Sequence, residues 1–417
     1  MIPEAFFSLH YYQKNLAVLW IATFFAAASF QQVIPFLPLF LQQLGVTTHL
    51  SLWAGVVAAA SNMTAIFFQP FWGRIADQYG RKPMMIRAGV CLGLIYFVTS
   101  MSTTPWHVAL CRFLNGALTG FVPGAVALAA TNTPKHLCAR YVASLQTANA
   151  AGAILGPAIG GVLADLLGFR GALRVSGVVV LLCTLFVLVL VEEKEKTSTR
   201  PTTTLWQDTV MTLTHPVLFV VMVTVAFTAF ATSAIQPMLA VYLATMPGDA
   251  AKWLSGVIFS LPGIAFVIMA GFWTRLGERK GFTRLIPMAL VLSAVAAFSL
   301  SFAGTMSSFA ILYFALGMFV AALRPSAAAL IATRVEDSFQ GMAFGMQQSA
   351  FTFGGFVGPV FSGVVGAATD TRWLFAWIGV VLTLSSVWLR RLIARWDESV
   401  SGQPDAKAFQ QTAAGRM

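Results

Sequence analysis

Apolar residues along this chain fall into blocks of about 20, separated by short polar breaks, and ~20 residues is the helix length that crosses ~30 Å of hydrocarbon. Twelve such helices are predicted, at 16 to 44, 51 to 76, 83 to 101, 105 to 131, 139 to 164, 170 to 191, 216 to 245, 251 to 276, 282 to 303, 306 to 331, 339 to 366 and 371 to 395. The expected fold is an all-α membrane protein. The first block runs nearly 30 residues with no basic stretch before it, too long for a signal peptide, and reads as an uncleaved span.

Composition sharpens this picture. Of 417 residues, 58% are hydrophobic and only 10% charged, with a mean hydropathy of +0.77. A water-soluble fold could not hide that much apolar surface. The formal charge is +11, but the cations sit in the breaks between blocks and not on one solvated face, so they report topology and not nucleic acid. With both ends in the cytoplasm, 20 Lys and Arg residues lie inside and four outside: Arg170, Arg174, Lys252 and Arg372. That asymmetry orients the chain as a multi-pass protein of the inner or plasma membrane. Arg112 and Arg324 fall inside spans.

One long break, 192 to 215, carries EEKEKTSTRPTTT and is too polar to insert. It divides the chain into an N-terminal six-helix bundle (1–191), a cytoplasmic linker (192–215), a C-terminal six-helix bundle (216–395) and a cytoplasmic tail (396–417). The two bundles repeat one another at an offset of about 201. Pro35 falls on Pro237, Trp53 on Trp253, Phe71-Trp72 on Phe272-Trp273, Asp77 on Glu278, Gly116 on Gly317, Gln146 on Gln348 and Gly156-Pro157 on Gly358-Pro359. Because six helices separate equivalent positions, both copies run the same way through the bilayer, as parallel repeats about an axis along its normal. Such folds hold the substrate near the midplane between the halves and alternate access by rocking one half against the other.

Three local patterns carry more. Gly73 to Lys82 reads GRIADQYGRK in the first basic loop, with turns at Gly73 and Gly80, a carboxylate at Asp77 placed to cap a helix or meet an arginine, and Arg81 and Lys82 at its end. Gly152 to Gly161 reads GAILGPAIGG, in which Gly152, Gly156, Gly160 and Gly161 permit close helix packing and Pro157 bends the helix. Its repeat, around Gly358 and Pro359, keeps the Gly-Pro centre. In the fourth span Arg112 precedes Gly116, Gly120 and Gly124. Together these resemble the major facilitator superfamily and, within it, the twelve-span drug:proton antiporter group, over about 380 residues; VIPFLPLFLQQLGV and FVPGAVALAAT are similar to segments of bacterial multidrug exporters. The resemblance implies a latch in the first loop, a pivot in the fifth span, and an Arg112 near the cavity that takes part in proton coupling. A topogenic basic loop, a packing helix and a snorkelling arginine are the plainer alternatives.

The charges qualify that resemblance. All fifteen acids lie in loops, tails or span edges, and where cation exporters of this family carry an acid in an early helix this chain has Gln31 and Gln32. The cavity is expected to be lined by Gln31, Gln32, Asn62, Arg112, Asn115, Gln146, Asn149, Gln236, Arg324, Gln347 and Gln348. Amides both donate and accept, so they suit varied ligands. No histidine lies at midplane depth. Proton coupling is therefore expected to be indirect, with Asp77 and Asp165 as candidate carriers.

The functional expectation is a proton-driven exporter of small amphipathic molecules, monomeric, with no cofactor beyond the proton gradient. An exporter of one anionic metabolite, such as a carboxylate siderophore, remains open because of the two arginines. So does a channel or membrane sensor. A membrane enzyme is disfavoured, since the chain carries no nucleotide loop, metal cluster or nucleophile-base pair, and its four cysteines show no pairing pattern.

Overall fold

The computed structural model describes residues 10–194, 216–244, 252–335 and 337–401. Their helices are α1 (Tyr11–Gln43), α2 (Leu50–Tyr79), α3 (Arg81–Ser100), α4 (Pro105–Leu118), α5 (Phe121–Thr131), α6 (Lys135–Leu190), α7 (Pro216–Ala244), α8 (Lys252–Lys280), α9 (Phe282–Leu300), α10 (Met306–Val320), α11 (Leu323–Arg334), α12 (Asp337–Ala368) and α13 (Thr371–Ser401). The fold is all-α, and these helices make the expected twelve passes. Continuous α6 contains two of them, the fifth and sixth spans, joined at Gly168, whose φ of 69° turns the chain back where no other residue type would sit without strain.

Spans four and ten depart from the expected continuous helices. Span four breaks between α4 and α5 at Thr119 and Gly120, where Gly120 has φ 128°. Span ten breaks between α10 and α11 at Ala321 and Ala322. The cause is Pro123 in the one and Pro325 in the other, each three residues past the break: a proline is tolerated in the first turn of a helix but not in its interior. The breaks are repeat mates, so the interruption belongs to the duplicated architecture.

The repeat is realised contact by contact. Trp72 donates its indole N–H to the Ala117 carbonyl at 2.7 Å, and Trp273 to Met318 at 2.7 Å. Arg170 reaches the Ser100 carbonyl at 3.0 Å and Arg372 the Ser301 carbonyl at 3.5 Å. Gly116 packs so closely on span two that a Cβ there would lie on the Ser61 carbonyl oxygen, and its mate Gly317 lies as close to Pro262. Three pairs of equivalent contacts between sequence mates show that the halves share one plan.

The halves meet at one end of the molecule. Spans two and eleven touch through Gly55, on which Pro359 and Gly363 close directly, and spans eight and five touch through Gly256, which meets Pro157. These are again repeat mates. Two hydrogen bonds join the halves as well: Asn62 Nδ2 donates to the Gly355 carbonyl at 2.8 Å, and the Trp253 backbone N–H donates to Asp165 Oδ2 at 2.8 Å. At the basic-loop end of the same spans, Gly73, Gly271 and Gly345 have no atom near enough to touch an added Cβ. Among the described residues the interface is therefore closed at the end that carries Asp165 and Trp253, and these glycines at the other end face open space.

The start of the expected linker is docked to the N-terminal bundle. Asn15 and Glu192 exchange two hydrogen bonds, at 2.7 and 2.9 Å, and the Lys194 N–H donates to Asn132 Oδ1 at 2.8 Å. Residues 195–215 and the tail beyond 401 lie outside the described residues, as does Asp337's neighbour at 336.

Candidate functional site

Between the halves lies a cavity of about 270 Å³. The N-terminal half contributes Gln31 from span one and Ala150, Ala153, Ile154 and Pro157 from span five, while the C-terminal half contributes most of the wall. There the aromatic and aliphatic surface of Phe259, Phe266, Leu316 and Phe351 is interrupted by Thr228, Thr232, Gln236, Ser260, Tyr313 and Arg324. Thr228, Thr232 and Ser260 each donate a hydroxyl proton to a carbonyl one turn back, at 2.7, 3.0 and 3.2 Å, so their lone pairs remain for a ligand's donors. Arg324 is exposed to the cavity, with its guanidinium carbon 4.2 Å from the centre of the Phe351 ring. It stands in the first turn of α11, next to Pro325. No carboxylate lines the cavity among the described residues.

Of the eleven residues expected there, Gln31, Gln236 and Arg324 line this cavity. Gln32, one residue and about 100° further round the helix, faces the other way. It is buried in the N-terminal bundle, hydrogen-bonded to Ser176, beside a void of about 30 Å³ under Phe36, Phe40 and Phe169. Asn62 is spent on the bond between the halves. Gln146 and Gln348 are exposed, and Asn149 and Gln347 half-buried, outside the cavity wall. Arg112 and Asn115 do not reach it: at 3% and 1% exposure they are sealed inside the N-terminal bundle. Tyr313, the repeat mate of Arg112, does line it, and sequence spacing alone had no signal for that reversal.

The motif residues are brought together as two devices. Gly152, Gly156 and Gly160 lie directly against span one at Phe24, Ala28 and Gln32, and Gly358 lies equivalently on Phe230, while Gly161 is buried beside them. Pro157 and Pro359 turn the other way, toward Gly256 and Gly55 across the interface. One face of the fifth span thus holds the bundle and the other meets the opposite half.

At the basic-loop end Asp77 pairs with Arg81 at 3.0 Å, and Arg81 also donates to the Ala127 carbonyl at 2.7 Å. The helix cap foreseen for Asp77 is made by Glu193 instead: its carboxylate accepts from the backbone N–H groups of Arg81 and Lys82, at 2.7 and 3.1 Å, and so faces the positive end of α3. Gly80, with φ 104°, brings the chain to that carboxylate. Glu193 lies 113 positions beyond the motif's Gly80, which is why local pattern could not find it. Behind these contacts is a second cavity of about 280 Å³, where Arg87 stacks on Trp72 at 3.4 Å; Gly73 and Asp77 are on its wall.

The Major Facilitator Superfamily model matches residues 19–308 and 250–414. The chain belongs to the major facilitator superfamily. It is a multi-pass membrane transporter and not an enzyme. Within the superfamily it is 32% identical, over 90% of this chain and 91% of the relative, to the multidrug resistance protein MdtG of Enterobacter lignolyticus strain SCF1. It is 33% identical to the protein of that name from Klebsiella pneumoniae strain 342, over 94% and 97% of the two chains. Among solved structures, a bacterial homologue of the human lysosomal transporter Spinster, crystallised inward-facing and occupied, superposes with a TM-score of 0.79 at 12% identity, covering 93% of this chain and 98% of that one. The nucleoside transporter NupG gives 0.74 at 15% identity, over 91% and 99%. At those identities the likeness is one of fold.

Proposed function

We propose that this superfamily member is a secondary active exporter of small amphipathic molecules in the plasma membrane, working by alternating access and driven by the proton gradient. The observation that carries the reading is the central cavity: aromatic walls, two amides, back-bonded hydroxyls and, among the described residues, one cation, enclosed between two halves that close on each other at the end carrying Gly55 and Gly256. Apolar surface supplies sequence-tolerant affinity, and a few adaptable polar groups supply orientation, a combination that accepts many ligands of similar size. The MdtG relatives, named for multidrug resistance, support the same reading. With the basic loops inside, as the charge asymmetry argues, the open end faces the cytoplasm and the cavity stands ready to load. The test is efflux of a neutral or cationic dye from energised cells, with a collapse of the proton gradient abolishing it.

Coupling is indirect in this account, because the cavity wall lacks a carboxylate and the nearest candidates, Asp77 and Asp165, sit at opposite ends of the membrane. Proteoliposomes should show proton movement when substrate is added; no movement in either direction removes the coupling. A second reading, export of an anionic metabolite, is favoured by one observation: Arg324 is the cavity's charge among the described residues. Loss of polycarboxylate transport in Arg324→Ala, with neutral dye efflux intact, would decide for it.

A further inference from the structure

Arg112 sits about 10 Å along its helix from the start of span four, and its guanidinium Nε, Nη1 and Nη2 are all out of contact with solvent and all without a hydrogen-bond acceptor among the described residues. It has no ion-pair partner there either. The groups beside it do not fill the deficit. The Tyr96 hydroxyl and the Asn115 side chain, both buried beside it, are within hydrogen-bonding reach of each other, and neither accepts from the guanidinium. The acceptors of the same turn are already engaged: the Arg112 carbonyl accepts from Ser61 at 2.8 Å, the Phe113 carbonyl from Thr64 at 2.9 Å, and the Asn115 carbonyl from Thr119. The Phe30 ring, 5.3 Å from the guanidinium carbon, covers one side only. A cation with three idle donor atoms thus sits beside an amide and a hydroxyl, neither of which carries the negative charge it lacks. Buried donors are seldom abandoned in this way, and a buried unpaired charge in a bilayer is costlier still.

We propose that Arg112, Asn115 and Tyr96 bind a small monovalent anion of halide size, which supplies the counter-charge of Arg112 inside the N-terminal bundle. One guanidinium calls for one negative charge. The setting, packed among spans one to four and shut off from the central cavity, suits an ion and excludes a drug-sized solute. The three side chains would surround it with N–H and O–H donors from different directions, which is how proteins replace a halide's hydration shell. The site is separate from the transport cavity, so it stands whether or not the export reading does.

The test uses the purified full-length protein in detergent, with its unfolding midpoint followed as sodium gluconate is exchanged for sodium chloride, bromide or formate at constant ionic strength. The expected result is a saturable rise of about 4 °C with chloride and bromide, absent with sulfate; the same rise with formate and none with halide would place a small carboxylate there as the same kind of counter-anion. Arg112→Met should remove the dependence, while Arg324→Met, which leaves the cluster intact, should keep it. If Arg112→Met fails to accumulate, Asn115→Leu and Tyr96→Phe should each raise the half-saturating concentration by about fivefold. Crystals grown in bromide should show anomalous density beside the Arg112 guanidinium. A wild-type midpoint indifferent to every anion, or an Arg112→Met protein that keeps the wild-type response, overturns the proposal.

Discussion

Arg112 and Arg324 are the two arginines this chain commits to the interior of its spans, one in each half, and the halves treat them in opposite ways. Arg112 is enclosed at 3% exposure behind spans one to four, whereas Arg324 stands open to the central cavity beneath Phe351. The scaffold around them is the same, down to the indole bond of Trp72 and Trp273. The difference therefore lies in side chains placed on a common frame. Where the N-terminal half puts Arg112 the C-terminal half has Tyr313, and among the described residues the cavity draws its cation from Arg324 in the first turn of α11. A duplicated architecture can thus keep its symmetry for motion and give it up for chemistry.

Substitutions that attack the shared frame should have the largest effect and should strike both halves alike. Leucine at Gly116 or at Gly317 drives a side chain into the backbone of the neighbouring span, at a cost of about 3 kcal/mol or more; neither variant should accumulate as folded protein in membranes, as judged by size-exclusion profiles. A mild outcome in one half only would break the symmetry. Next come the closing contacts. Gly55→Val and Gly256→Val each wedge the touching end apart and should each shift the equilibrium toward opening there by about tenfold, seen as faster labelling of a cysteine placed at Ser51.

The contrast of the arginines is sharpened by transport itself. Arg324→Ala should raise KM for an anionic solute about tenfold and leave a neutral dye within about twofold, with the unfolding midpoint unchanged, since a cavity-exposed charge contributes little to stability. The smallest effect belongs to the Glu193 cap. Glu193→Gln keeps one of the cap's two acceptors and removes the charge facing the α3 N-terminus, and should lower stability by about 1 kcal/mol, measurable as a shift in denaturation midpoint.

Much of this was legible before any coordinates. The passes, the repeat and the Gly-Pro centres follow from block length and from one constant offset, because a bilayer forces long apolar helices and duplication leaves landmarks in register. Facing was not legible. Gln31 and Gln32 are adjacent, and a span buried on several sides lacks the polar stripe that tells which of them points to the cavity. The breaks in spans four and ten were hidden for a related reason: Pro123 and Pro325 sit among apolar residues that read equally well as an unbroken span. The Glu193 cap joins distant segments, and a local pattern is blind to such a contact.

The central claim is that two equivalent halves pivot about the cavity, so that the end now held by Gly55 with Pro359 and Gly256 with Pro157 opens when the other closes. Spin labels at His49 and Thr369 on the touching end, and at Arg74 and Phe344 on the open end, report it directly by pulsed distance measurement in lipid. Shifting the proton gradient or adding substrate should lengthen the first distance while shortening the second. Two distances that stay fixed, or that grow together, would contradict it.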